Sequence, residues 1–315
     1  MKNPPLKDND KAFLRKAMEN LLVPAEWNTL DFESLSGLVL LIGAKDSGKS
    51  TLSYFLYNHL VRSGKRCAFI DGDPGQTTFG PPGTITLVMG AEFPKLESTD
   101  RLSPDLDSYF VRRSFIGSTT PRGHMIPLLI GAERLRAASK QEEADVVIFD
   151  TCGLVDPEQG GLSLKHGLVE LLQPDTIIAI QENDELELIL RPLKRSKRTK
   201  ILQLKPSQSA RQRNQAIRQN HRRDQFEAYF RSAVTLEIQT SKYPIFPFPR
   251  FILNGLVSFE DVNGFSLALG IVHKIDRRAH QIGVLMPISE LSDVDAIRLG
   301  DLTVDPVTFQ DKLVR

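Results

Sequence analysis

Apolar residues along this chain fall into short, almost unbroken runs, set between stretches where they recur every three or four positions. Leu38-Val39-Leu40-Leu41-Ile42, Arg66-Cys67-Ala68-Phe69-Ile70, Ile85–Met89, Phe110–Ile116, Asp145-Val146-Val147-Ile148-Phe149 and Thr176–Ile180 read as strands. Runs with so little polar alternation belong to strands covered on both faces, as in a parallel sheet. Leu52, Phe55, Leu56 and Leu60 mark a helix from Ser50 to about Arg62, and a second spans Gly123 to about Ser139. Strands alternating with helices predict an α/β fold, a doubly wound and mostly parallel sheet with helices on both faces.

The pattern changes after Ala233. Val234–Thr240 alternates with period two, and Tyr243-Pro244-Ile245-Phe246-Pro247-Phe248-Pro249 fits neither a helix nor a central strand. Phe251–Phe259 and Phe265–Lys274 flank Asp261-Val262-Asn263-Gly264, a hairpin signal, and Gln281–Met286 is a further strand. The predicted organisation is a short helical lead-in over 1–35, an α/β domain over 36–233 and a small β-rich domain over 234–315. Trp27, in the lead-in, reads as packing, with stacking on a base as the alternative.

Composition adds exclusions. With 41% hydrophobic and 25% charged residues the chain resembles an ordinary soluble protein. No apolar run approaches the roughly 18 residues of a membrane helix, and Met1–Asn20 has no signal-peptide core. A cytoplasmic protein with no membrane association is the expectation. Cys67 and Cys152 lie in apolar contexts and read as small buried hydrophobes, not as a disulfide or a metal site. The net charge of +1 hides an asymmetry: Arg191 to Arg223 holds twelve Lys and Arg and no Asp or Glu, so the rest of the chain carries −11. Such a block is either a solvated segment or a surface for nucleic acid.

The first strand leads into Gly43-Ala44-Lys45-Asp46-Ser47-Gly48-Lys49-Ser50-Thr51, which contains G-x-x-x-x-G-K-[ST]. Glycines let the backbone wrap a phosphate, and the helix N-terminus adds partial positive charge. Lys49 is suited to the β- and γ-phosphates and the Ser50 hydroxyl to Mg²⁺. These nine residues predict a nucleoside triphosphate site. Two further strand ends should face the same crevice. In Asp71-Gly72-Asp73-Pro74-Gly75-Gln76 a carboxylate can hold Mg²⁺ or accept a proton from an attacking hydroxyl, with a plain turn as the alternative. Asp150-Thr151-Cys152-Gly153 ends an apolar strand in an aspartate, as a Walker-B strand does, with a strand-end cap as the alternative. It also resembles a GTPase D-x-x-G switch, but no N-K-x-D follows.

Arg191 and Arg195 share a helical face and could close over a γ-phosphate as an arginine lid; a solvated basic helix is the alternative. Arg211, Arg218 and Arg222 follow at spacings of seven and four, one face that could meet a nucleic-acid backbone. Gly117-Ser118-Thr119-Thr120-Pro121-Arg122-Gly123-His124 is another strand-end loop, making Thr120, Arg122 and His124 candidate substrate contacts. For His124 a helix-start or surface role is the alternative.

Together these elements resemble the polynucleotide 5′-hydroxyl kinase family, which includes RNA kinases of tRNA splicing, mRNA 3′-end formation and ribosomal RNA processing, and shorter archaeal and bacterial relatives. The resemblance spans about residues 22–310. It rests on Gly43–Ser50, Asp73-Pro74-Gly75-Gln76 with Pro81-Pro82-Gly83-Thr84, Gly117–Pro121, Asp150–Gly153, Arg191 with Arg195, and Asn254-Gly255-Leu256 through Gly270-Ile271-Val272. It implies that Lys49 and Ser50 bind ATP or GTP with Mg²⁺, and that Asp73 activates the 5′-hydroxyl of RNA and helps order the metal's waters. It further implies that Gln76 lies near metal or substrate and that Arg191 and Arg195 form the lid. The expected activity is γ-phosphate transfer to the 5′-hydroxyl of RNA, with DNA as a second acceptor. The rival readings are a nucleotide-holding scaffold in an RNA-processing assembly and a small-metabolite kinase.

Overall fold

The computed structural model describes Trp27 and residues 31–93, 109–206 and 214–314. Most of the lead-in, and Arg211, lie outside the described residues. Among the described residues, fourteen strands form two sheets, one before and one after residue 233. The first is ordered β4-β3-β2-β5-β1-β6-β7, from β1 (Gly37–Gly43), β2 (Cys67–Gly72), β3 (Thr84–Met89), β4 (Phe110–Phe115), β5 (Val146–Thr151), β6 (Thr176–Ile180) and β7 (Lys200–Leu204). Strands β2, β5, β1, β6 and β7 are parallel, whereas β3 and β4 join antiparallel at one edge.

The unbroken apolar runs have a direct cause. Leu38, Leu40 and Ile42 of β1 enter one core with α2 (Met125–Gln141), α3 (Gly161–Leu172) and α4 (Glu187–Ser196). Val39 and Leu41 enter the other, against α1 (Lys49–Arg62). Both faces of the strand are covered, so every position is apolar. Trp27 is buried in that second core, its ring 6.2 Å from Phe55 of α1.

The basic stretch 191–223 is not a single helical segment. It contains the end of α4, the edge strand β7 and the start of α5 (Gln215–Phe230). Ile201, Leu202 and Leu204 of β7 are only half-buried and stand among charges, which hid the strand from periodicity.

The second sheet is antiparallel along the order β14-β13-β10-β11-β12-β8, from β8 (Val234–Gln239), β10 (Gly255–Glu260), β11 (Ser266–Asp276), β12 (Gln281–Met286), β13 (Ala296–Val304) and β14 (Asp311–Leu313). The two-residue β9 (Ile245–Phe246) pairs with β13. The hairpin at Asp261–Gly264 joins β10 to β11. Phe226, Tyr229 and Phe230 of α5 share a core with Phe115 of β4 and with Leu256, Leu269, Ile271, Leu302 and Val304. Gly117 and Gly300 meet at backbone distance: a Cβ on Gly300 would stand 2.8 Å from the Gly117 carbonyl oxygen. Among the described residues no helix is long and apolar enough to cross a membrane.

Candidate active site

Strand β1 lies between β5 and β6, so its end opens at the carboxyl edge of the parallel strands, where ligands bind in such sheets. The chain then turns through Ala44–Ser47 to Gly48, whose φ of 91° is a left-handed conformation that favours glycine. A Cβ on Gly48 would meet nothing within 4 Å, so the loop leaves open space at the start of α1. Lys49 is buried and donates from Nζ to the Ala44 carbonyl at 2.7 Å, closing the loop upon itself. Burial pushes its pKa down, against the attraction of Asp150 and Asp73.

Three carboxylates cluster at the neighbouring strand ends. In register, Asp150 of β5 is flanked by Leu41 of β1 and Asp71 of β2. Burial pushes the Asp150 carboxyl up to about 6, while Lys49 and a hydrogen bond from Ser50 pull it down. Its Oδ1 is buried with no hydrogen-bond partner. A hydroxyl and a carboxylate oxygen in contact, with one oxygen lacking a partner, are the protein donors Mg²⁺ takes when phosphates and water complete its shell. Ser50 and Asp150 therefore fit the metal. Asp71 serves the backbone: its Oδ2 accepts from Thr77 Oγ1 at 3.0 Å, Thr78 N at 2.6 Å and Phe79 N at 3.1 Å. Burial pushes Asp71 up to about 7 despite those amide bonds.

Asp73 stands just beyond β2. Its Oδ1 accepts the amides of Gly75 at 2.9 Å and Gln76 at 3.1 Å, a turn that orients the carboxylate. This leaves Oδ2 outside the turn, and both Lys49 and Asp150 are within electrostatic reach. Gln76 donates from Nε2 to the Gly75 carbonyl, and its buried Oε1 has no partner. The loop after β4 abuts this turn: a Cβ on Gly75 would stand 2.2 Å from the Thr119 carbonyl oxygen. Thr120 and Arg122 lie on that loop, Thr120 half-buried and Arg122 exposed. His124 sits between the Arg122 carbonyl at 3.0 Å and the Asp301 carboxylate at 2.9 Å, so it ties the loop to β13.

The arginines are arranged otherwise than their spacing suggested. Arg218 and Arg222 do share a face of α5, but that face meets protein. Arg218 contacts Asp46 of the phosphate loop at 2.6 Å, and Arg222 Nε reaches Asp311 of β14 at 2.9 Å. The structure thus sets Arg218 at the phosphate loop and Arg222 against β14. The expected lid pair lies on α4. Helix α4 starts near Gln181, just past the carboxyl end of β6, and descends to Lys200, which pairs with Thr176 at the opposite edge. Pro192 and Leu193 already border Gln173–Asp175 at that far edge. Arg191 and Arg195 are exposed on this descending helix.

One residue escaped sequence reasoning. Lys165 of α3 has 0% exposure and donates from Nζ to Thr151 Oγ1 at 2.8 Å and the Cys152 carbonyl at 2.6 Å. A lysine in an amphipathic helix ordinarily reaches solvent, so nothing in the local pattern marked it.

The family described as mRNA cleavage and polyadenylation factor CLP1 P-loop matches residues 43–232, more than half of the sequence. The chain belongs to that family. A polyribonucleotide 5′-hydroxyl-kinase of Methanocaldococcus jannaschii is 26% identical, with 85% of this chain and 87% of that protein covered. The polyribonucleotide 5′-hydroxyl-kinase of Pyrococcus furiosus is also 26% identical, covering 84% and 87%. The polynucleotide 5′-hydroxyl-kinase GRC3 of Gibberella zeae is 33% identical over 52% of this chain and 25% of its own length. Among solved structures, a chain of the wild-type Clp1p–Pcf11p complex superposes with a TM-score of 0.64 at 14% identity, covering 93% of this chain and 77% of that one. At that identity the likeness is one of fold.

Proposed function

We propose that this protein is a polynucleotide 5′-hydroxyl kinase that moves the γ-phosphate of ATP or GTP to the 5′-hydroxyl end of RNA, with DNA as a second acceptor and the cytoplasm as its compartment. The observation that carries this reading is the convergence of Lys49, the Ser50–Asp150 pair and Asp73 at one sheet edge. Its support in kind is the run of relatives named as 5′-hydroxyl kinases along most of the chain. We read residues 36–233 as the kinase unit and 234–315 as a β unit docked on it.

Phosphoryl transfer asks for positioning and charge neutralisation more than covalent chemistry. Lys49 supplies a buried cation at the loop, and a phosphate oxygen would take the place of the Ala44 carbonyl as its acceptor. Mg²⁺, held through Ser50 and Asp150, would offset charge on the phosphate oxygens. Asp73 would take the proton from the 5′-hydroxyl as the new O–P bond forms and the β–γ bridging bond breaks in line. Its free Oδ2 suits that task because Oδ1 is fixed by two amides. Gln76 and the loop bearing Thr120, Arg122 and His124 lie on the acceptor side of Asp73.

The test is transfer of labelled γ-phosphate to a 5′-hydroxyl oligoribonucleotide. Transfer should occur in the wild type and fall by about 10²–10³-fold or more in Lys49→Ala and Asp73→Asn. Label that reaches the oligonucleotide equally well in Asp73→Asn would remove Asp73 as the base. A wild type that labels small hydroxyl compounds but no oligonucleotide would replace the acceptor.

A further inference from the structure

We infer that Lys165 is a positioning residue for the phosphate and metal site, a buried ammonium that clamps the end of β5 and braces the phosphate loop from below. The inference rests on the nucleotide-binding part of the proposed function, and it needs no particular acceptor.

A lysine is seldom fully buried without a partner that needs its charge or its donors. Here all three donor contacts, to Thr151 Oγ1, the Cys152 carbonyl and Cys152 Sγ, fall on the two residues that follow Asp150. Thr151 relays the clamp sideways, because its Oγ1 donates to the Leu41 carbonyl at 2.6 Å and so ties β5 to β1 just before the loop. The next residue, Gly153, is pressed on the loop itself: a Cβ there would stand 2.8 Å from both Cα and N of Lys45. Lys165 therefore sets the height of Asp150 relative to Ser50 and supports Lys45 through the Cys152–Gly153 turn. It also lies within electrostatic reach of Asp150 and Lys49, so its charge counts toward the balance of the cluster. Nothing exposed serves this purpose. The side chain is fully buried, and its donors go to Thr151 and Cys152.

Groups that hold a metal ligand in place typically change metal affinity or activity by about 10- to 100-fold when removed. The distinguishing measurement is ADP binding by calorimetry with and without Mg²⁺, made on protein shown to be folded by its circular dichroism and melting curve. In Lys165→Met the Mg²⁺-dependent enhancement of ADP affinity should shrink by about tenfold or more, with kcat falling further than the KM for nucleotide rises. A purely structural lysine would lower the melting temperature and leave the enhancement of the folded protein intact. That result, within about twofold of the wild type, overturns the proposal. Should Lys165→Met not fold, Thr151→Val decides: it removes one acceptor and the tie to Leu41, and must reduce the enhancement in the same direction. A wild type whose ADP affinity ignores Mg²⁺ overturns the Ser50–Asp150 metal site and this role with it. Absence of RNA phosphorylation would refute the acceptor alone, since ADP binding is read without it.

Discussion

The contact between Gly75 and Thr119 gives the sharpest prediction, because it joins the turn of the proposed base to the loop proposed for the acceptor. In Gly75→Ala the new methyl would stand 2.2 Å from the Thr119 carbonyl oxygen and 3.5 Å from Asp73 Oδ1. The first distance is about 1 Å short of the closest tolerable carbon–oxygen contact, and packed interiors leave no slack to absorb it. The group at 2.2 Å is the Thr119 backbone carbonyl, so no side-chain rotation relieves the clash. Neither loop yields easily. Gly83 N donates to the Pro74 carbonyl at 2.8 Å and Ile116 N to the Gly83 carbonyl at 2.8 Å, so the two loops are stitched together through Gly83. Overpacking of this size costs about 1–3 kcal/mol, which leaves a folded protein. A displacement of about 1 Å at the base, however, is enough to lower turnover by about 100-fold. The phosphate loop rests on β1 and α1, away from the clash, so ADP affinity should stay within about twofold of the wild type. The assay is single-turnover label transfer at saturating oligoribonucleotide, paired with ADP binding. Gly64→Ala is the control: its φ of 87° strains an alanine, yet a Cβ there meets nothing within 4 Å, far from the site. A Gly75→Ala protein that turns over at near wild-type rate, or loses only what Gly64→Ala loses, would refute the reasoning.

Other outcomes follow from the same contacts. Arg222 Nε bonds both oxygens of Asp311, whose side chain is 7% exposed, so Arg222→Ala strands a buried carboxylate and should cost about 2–4 kcal/mol in urea unfolding, with Arg222→Met/Asp311→Leu recovering much of it. Arg195→Ala should leave kcat within about twofold, whereas Arg218→Ala, at the phosphate loop, should lower it by about tenfold or more. Asp71 is raised in the folded state from 3.8 to about 7, so the folded protein binds the extra proton and stability falls as pH rises through that window, by on the order of 4 kcal/mol at most. Asp71→Asn should flatten the difference in melting temperature between pH 4.5 and 7.5 relative to the wild type, measured without nucleotide or metal; parallel profiles would show that Asp71 does not titrate there.

How much of this was legible in the sequence depended on whether a residue's partners are local. Six strands of the first sheet followed from runs such as Leu38–Ile42, because covering both faces leaves a mark in the sequence itself, whereas the half-buried edge strand β7 left none. The glycine loop, Asp73 and Asp150 were legible for a related reason: each stands at the end of a strand, and strand ends of a parallel sheet share one edge. Two readings turn on contacts that are remote in sequence. The pair Arg191–Arg195 has the spacing of a shared helical face, but spacing is silent on whether that helix faces the crevice or descends from it. Arg218 and Arg222 were rightly placed on one face, yet their partners Asp46 and Asp311 lie 172 and 89 positions away. Lys165 left no local sign at all, since its burial arises only when α3 covers the end of β5.

Those remote contacts converge on α5, and that explains why a helix so rich in arginine is not simply a solvated face. Its first half is bound to the nucleotide side: Arg218 to Asp46, the Arg218 carbonyl to Gln76 Nε2 at 3.5 Å, and His221 Nε2 to the Thr77 carbonyl at 2.9 Å. Gln225 repeats the last contact at 3.1 Å. The second half buries Phe226, Tyr229 and Phe230 in the core shared with the second sheet, and the Tyr229 hydroxyl accepts the Leu269 amide at 2.9 Å. One rigid element thus touches the phosphate loop, the turn that orients Asp73 and the β unit. Strand β13 closes the circuit, because Asp301 reaches both the Gly117 carbonyl and His124 on the loop beside that turn. The phosphate loop, the proposed base and the proposed acceptor loop are therefore held from two sides by the same β unit, once through α5 and once through β13. The small sheet contributes no residue to the proposed chemistry, yet it fixes the relative positions of the three parts on which that chemistry depends.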